Sequence, residues 1–228
     1  MNRSILFAAL LFMTFGCSRE DPQTSTDDPE QSQWGDYEFC DDYYYGDYPD
    51  VKVPLVPCND EFVIVFDTDN KGEVVDYIDR EGFTVLLDGP MDVTYPDKDG
   101  FEIPEYMQNL TLLFIMGNGD IDAIPHIIFS DNIYVAGDPG THLFTTNVFY
   151  VQYYDEGLGI DLFEEALRYA DELKIIPKSI SDFETNKWLG FICTDESAGK
   201  TVELANWFCE KAGFPGSNPS FMEENIWD

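Results

Sequence analysis

Glu61-Phe62-Val63-Ile64-Val65-Phe66-Asp67 (EFVIVFD, residues 61–67) decides the fold. A run of β-branched and aromatic residues between two acids predicts a strand. Just upstream, Lys52-Val53-Pro54-Leu55 leads into it, and Tyr43-Tyr44-Tyr45-Gly46 opens the folded region. Downstream, Val74, Val75 and Ile78 fall at helical spacing and predict a short helix over 72–80. Residues 83–87 predict a second strand, stopped by Asp88-Gly89-Pro90. Residues 95–105 are turn-rich. LTLLFIM at 110–116 predicts a buried strand that ends at Gly117-Asn118-Gly119. Residues 127–129 and 133–135 predict two short strands around Ser130-Asp131-Asn132.

The order then repeats. NVFYVQYY at 147–154 predicts a strand. Residues 161–174 predict the clearest helix of the chain. Asp161 with Glu164 form a capping-box-like pair, and Leu162, Phe163, Ala166, Leu167, Ala170 and Leu173 make one apolar stripe. Ile175-Ile176 enters an extended stretch that Pro177 is expected to stop. WLGFIC at 188–193 predicts a strand, and 201–211 a helix with Val202, Leu204, Ala205, Phe208 and Cys209 inward. The repeated order predicts a duplicated β-α-β-β unit of the ferredoxin-like kind, with halves at 43–140 and 145–228. The expected class is α+β, a mostly antiparallel or mixed sheet with helices on one face. A doubly wound parallel sheet needs more and longer crossover helices.

Composition supports a folded core. The 228 residues are 44% hydrophobic and 15% aromatic, enough apolar material to bury. Against 45 Asp and Glu stand only 12 Lys and Arg, a formal charge of −33. That charge excludes nucleic acid and anionic membrane surfaces as partners, since both repel it. With two His and no Cys–His cluster, the sequence offers no zinc motif.

The amino terminus reads as an address. Asn2-Arg3-Ser4 is a short positive start, and residues 5–15 are an almost unbroken apolar run. The run is shorter than the about 20 residues a membrane span needs, and fits a signal-peptide core. It ends in Thr14-Phe15-Gly16-Cys17, which resembles a bacterial lipoprotein processing site. Residues 1–16 are therefore expected to be removed, with Cys17 becoming the lipidated first residue. The alternative is an ordinary signal peptide with an incidental Cys. Removal takes one Arg and no acid, moving the formal charge from −33 to −34. Residues 17–33 lack a large apolar residue and predict a flexible tether, leaving 34–228 as the folded domain. The expected location is the cell envelope, extracytoplasmic and lipid-anchored to a bacterial membrane, with the outer membrane as first choice.

Four Cys remain in an exported chain, which permits two disulfides. Cys40 and Cys58 form one expected pair. Cys193 and Cys209 either form the second or stay as buried thiols.

Motifs that carry chemistry fail on inspection. Ser197-Ala198-Gly199-Lys200-Thr201 follows a strand and opens a helix, as a phosphate loop does. The full motif needs Gly at position 194, which is Thr, and Asp195 and Glu196 would repel a phosphate. Asp67-Thr68-Asp69-Asn70-Lys71-Gly72 imitates a calcium loop, but Lys71 occupies a ligand position and Ile78 the twelfth. No nucleophile elbow and no His-Glu-x-x-His is present, so the sequence assigns no catalytic residue, metal or cofactor.

Two stretches resemble a known family. Tyr43-Tyr44-Tyr45-Gly46 with KVPLVPCNDEFVIVF (52–66) is similar to the opening of the N-terminal pro-region of secreted bacterial subtilisin-like serine proteases. WLGFIC (188–193), the helix from Gly199 through Glu203 to Phe214, and then Asn218-Pro219-Ser220-Phe221 are similar to the segment that closes it. Phe149-Tyr150-Val151-Gln152 matches one of its strands. The chain departs from the family at Lys200, and it ends at Asp228, where the protease domain would begin. The resemblance implies a lipid-anchored binding protein, not an enzyme, that inhibits or assists a subtilisin-like protease. It also implies docking by the sheet, with the segment from Phe214 onward entering the substrate cleft. Phe221, Met222, Ile226 and Trp227 are then the pocket-filling side chains. The alternative is a cell-surface ligand-binding lipoprotein unrelated to proteases.

Overall fold

Strand pairing shows the duplication directly. In the computed structural model, which describes residues 39–41, 43–45, 52–87, 89–136 and 142–223, eleven strands join into one sheet and every pairing is antiparallel. The expected signal peptide, Cys17 and the tether lie outside the described residues, as do Ile226 and Trp227. After β1 (Tyr43–Tyr45), the first half runs β2 (Lys52–Asp67), α1 (Lys71–Glu81), β3 (Thr84–Val85), β4 (Met91–Thr94), β5 (Asn109–Met116) and β6 (Ile127–Ala136). The second runs β7 (His142–Asp155), β8 (Ile160–Asp161), α2 (Phe163–Glu172), β9 (Ile176–Phe183), β10 (Asn186–Ile192), α3 (Thr201–Glu210) and β11 (Gly216–Glu223).

Each half has the same spatial order. The first reads β3-β5-β2-β6, with β4 sharing the outer edge of β5; the second reads β9-β10-β7-β11. Both place the third core strand between the first two, the split β-α-β arrangement of ferredoxin-like units. The second half is complete. The first has only a 3-10 turn, Ile121–Ala123, where its second helix would stand. The halves meet where Tyr134 and Val135 of β6 pair with Leu143 and His142 of β7.

Local chemistry sets the boundaries. Asp67 accepts the Asp69 N–H at 2.9 Å and starts the turn into α1. Gly82, at φ 79°, ends that helix in the left-handed region. Two expectations are corrected. β6 is one strand, not two short ones, because Ser130, Asp131 and Asn132 stay in register against Ile64, Val63 and Phe62. β9 continues through Pro177. It lies at the end of the strand order, and its register against β10 slips beside that proline, a position where a missing N–H is tolerated.

All four residues Val63, Ile64, Val65 and Phe66 are buried, so both faces of β2 are covered. Ile64 and Phe66 pack with Leu113 and Ile115 under Val74 and Ile78 of α1. Val63 and Val65 face the larger core, shared with the second half, where Phe114 meets Phe144 at 4.8 Å. In the second half both helices use one face. Phe208 of α3 packs on Phe149 and Phe191, each at 5.7 Å, and Phe163 of α2 packs on Tyr153. The single helical face therefore holds within each half, while the first half's opposite face is closed against the second.

Candidate functional site

The helix-free face of the second half gathers one candidate surface. Strand pairing sets its membership. Val151, Leu189, Phe149 and Phe191 point to the helices, so their neighbours Gln152, Trp188, Tyr150 and Gly190 point away. Asn218 and Gly216 of β11, and Ser179 and Ser181 of β9, extend that face through their register partners.

Glycine lets two rings lie on this sheet. A Cβ at Gly190 would stand 2.9 Å from Ser179 Oγ and 3.0 Å from Tyr150 Cε1. One at Gly216 would stand 3.1 Å from Trp188 Cη2. Tyr150 and Trp188 therefore rest over backbone that any larger residue would fill. Both are half-buried. Lys178 Nζ lies 5.5 Å from the Tyr150 ring centre, and Lys187 Nζ lies 5.6 Å from that of Tyr154. Lys187 also pairs with Asp182 at 3.2 Å. Lys178 Nζ also lies 5.2 Å from the ring centre of buried Tyr95. What the face offers a partner is its half-buried Tyr150, Tyr154 and Trp188, of the residue types enriched at recognition surfaces.

The loop that imitates a phosphate site has its donors engaged within the fold. Thr201 Oγ1 donates to the Thr146 carbonyl at 2.7 Å, and the Ala198 N–H to the Leu173 carbonyl at 3.0 Å. The Lys200 N–H donates to Glu203 at 2.8 Å, and Lys200 Nζ stands 3.8 Å from Asp131. A cleft of about 590 Å³ lies alongside, lined by Ser130, Asp195, Ser197, Lys200 and Glu203 among others. Its three acids, Asp122, Asp195 and Glu203, and its engaged amides make it a poor anion site. Asp131 is fully buried, and burial pushes its carboxyl up to about 7 although Lys200 and the Asn132 N–H oppose the rise. Burial also raises Glu203.

The calcium-like stretch caps its own turn, and Lys71 pairs with Asp92 at 2.9 Å.

Cys58, Cys193 and Cys209 stand as thiols in this structure. Cys193 is buried, and its thiol is raised by burial while the Thr201 side chain opposes the rise. The Cys209 thiol donates to the Ser217 carbonyl at 3.9 Å, and burial raises it to about 11. Cys40 is half-buried, and its carbonyl accepts from Asn206 at 2.8 Å. Cys58 is raised to about 11, first by burial and then by the charge of Glu61, so at neutral pH it is no thiolate nucleophile.

Of the expected cleft residues, Phe221 lies in β11 with its ring 4.9 Å from that of Tyr44. Met222 lies in the same strand, paired with Phe144. The extended segment thus starts as a strand of the sheet. Tyr150, Trp188 and their glycines were legible only as strand residues; Gly190 inside WLGFIC was the signal of close approach.

No family model matches the chain, and no curated protein matches it. Among solved structures, the chain is similar to one described as a glycine cleavage system transcriptional repressor, at 15% sequence identity. The match covers 72% of this chain and 98% of that one, with a TM-score of 0.24. A likeness at that score supports neither a fold nor a function.

Proposed function

We propose that this chain is a lipid-anchored extracytoplasmic binding protein that engages a subtilisin-like protease through the helix-free sheet face of its second half. The observation that carries the reading is the platform of Tyr150 and Trp188 on a sheet whose other face holds both helices. Partly exposed aromatic residues flanked by Lys give large contact area at low entropy cost. The pro-region resemblance supplies the partner class and the docking mode. Beyond β11, residues 224–228 would serve as the cleft insert under this reading.

The test is inhibition of peptide hydrolysis by a purified secreted subtilisin-like protease. Intact protein should bind and slow turnover. Trp188→Ala should weaken binding about tenfold or more, near 1.4 kcal/mol or above, with melting temperature little changed. Removing residues 224–228 should weaken binding again. If the intact protein binds no such protease, the cell-surface ligand-binding reading replaces this one.

A further inference from the structure

The junction between the halves holds a second constellation. Against β6, β2 is in register at Pro57 with Tyr134 and again at Phe62 with Asn132. Residues 58–61 therefore bulge from the ladder opposite a single β6 residue, Ile133. Bulges re-aim side chains, and this one carries Cys58 and Glu61. On the other side of β6, Val135 pairs with His142, the first residue of β7. The fold thus brings a thiol, a carboxylate and an imidazole together from strands that start the two halves.

One donor atom from each of Cys58, Glu61 and His142 lies within 4.8 Å of the others. His142 Nδ1 is 3.0 Å from Glu61 Oε2, yet that buried oxygen has no hydrogen-bond partner. The two atoms meet at ion-pair distance without hydrogen-bond geometry, as two ligand atoms around a shared centre do. All three residues are half-buried, so the site is shielded but reachable. Tetrahedral zinc holds such donors about 3.3–3.8 Å apart, so the Glu61–His142 pair, at 3.0 Å, has only to open slightly around the ion while the thiol stays within reach.

We propose that Cys58, Glu61 and His142 form a zinc site with three protein ligands and one open position. Mixed sulfur, nitrogen and oxygen donors suit a borderline-soft ion and exclude calcium and magnesium, which take oxygen ligands. Bound zinc would fasten β2 of the first half to β7 of the second. The site is independent of the protease reading, since it uses none of the helix-free face.

The full chain, held in detergent and stripped with chelator, is dialysed against zinc with excess magnesium and calcium to occupy weak surface carboxylates. One zinc per chain is expected, with a raised melting temperature. Cobalt in its place should give tetrahedral visible bands and a thiolate-to-metal charge-transfer band. Cys58→Ser should abolish that band, Cys209→Ser should keep it, and Glu61→Gln and His142→Ala should each lower zinc affinity at least tenfold. The proposal is overturned if magnesium or calcium displaces the zinc, or if wild-type protein gives a cobalt spectrum without the thiolate band. That spectrum needs no variant to fold. Unchanged zinc uptake by the Cys58→Ser/His142→Ala variant also overturns it.

Discussion

Asp131 shows how one residue can set a pH dependence. Its Oδ1 accepts from the Asn132 N–H at 2.8 Å and from Tyr134 Oη at 3.2 Å, while buried Oδ2 has no hydrogen-bond partner. Desolvation dominates, and the carboxyl moves from 3.8 to about 7. The sign is opposite to that of an ordinary paired aspartate. Between about pH 4 and pH 7 the native chain holds a proton that the unfolded chain has released, so stability falls as pH rises. The ceiling on that loss is about 4 kcal/mol. Asp131→Asn keeps the acceptor oxygen and removes the titration. Thermal melts from pH 5 to pH 8 should fall steeply for the wild type and less for the variant, and parallel slopes would refute this account. Lys200, half-exposed, loses only a partner at 3.8 Å in the variant.

At the scale of elements, α2 separates what periodicity reads from what it misses. The stripe is real: Ala166, Ala170 and Leu173 are buried, and Leu162, Phe163 and Leu167 pack on the core from partly exposed positions. Leu167, at the middle of the stripe in sequence, is thus not its most buried leucine; Leu173 is. Leu173→Ala should cost about 2–5 kcal/mol in denaturant unfolding, and Leu167→Ala less. Arg168, exposed between Glu165 and Glu172, should cost far less than Leu173 on truncation, because solvent screens both pairs. An Arg168→Ala loss equal to that of Leu173→Ala would mean the helix packs by another face. The same logic marks how far the sequence could be read. Strands of contiguous apolar residues and helices with one stripe were legible because periodicity is local. Pro177 was misread because only tertiary pairing makes β9 an edge and supplies the register slip beside it. The Cys58, Glu61 and His142 cluster was invisible because a bulge and the pairing of β6 with β7, not spacing, bring it together.

At the scale of the whole molecule, charge and anchor have to be considered together. The chain carries −33, and no helix among the described residues is long and apolar enough to cross a membrane. An acidic surface adds no attraction to anionic lipid headgroups; it repels them. Acyl chains on Cys17 would then supply all of the membrane affinity, without the polybasic second signal that many lipidated proteins use. Loss of the lipid should accordingly act as a switch. Cys17→Ser should move the protein from the membrane pellet to the soluble fraction at both low and high salt, because a chain of net charge −33 has no attraction to anionic lipid for salt to screen. Under the proposed function, its melting temperature should match that of the processed wild type and its protease binding should be retained, since position 17 lies outside the described residues that form the helix-free face. Cys17→Ser protein that stays in the pellet after a high-salt wash would sink the lipoprotein reading. Protein that leaves the pellet only at high salt would instead reveal a charge-mediated contact with a basic envelope partner.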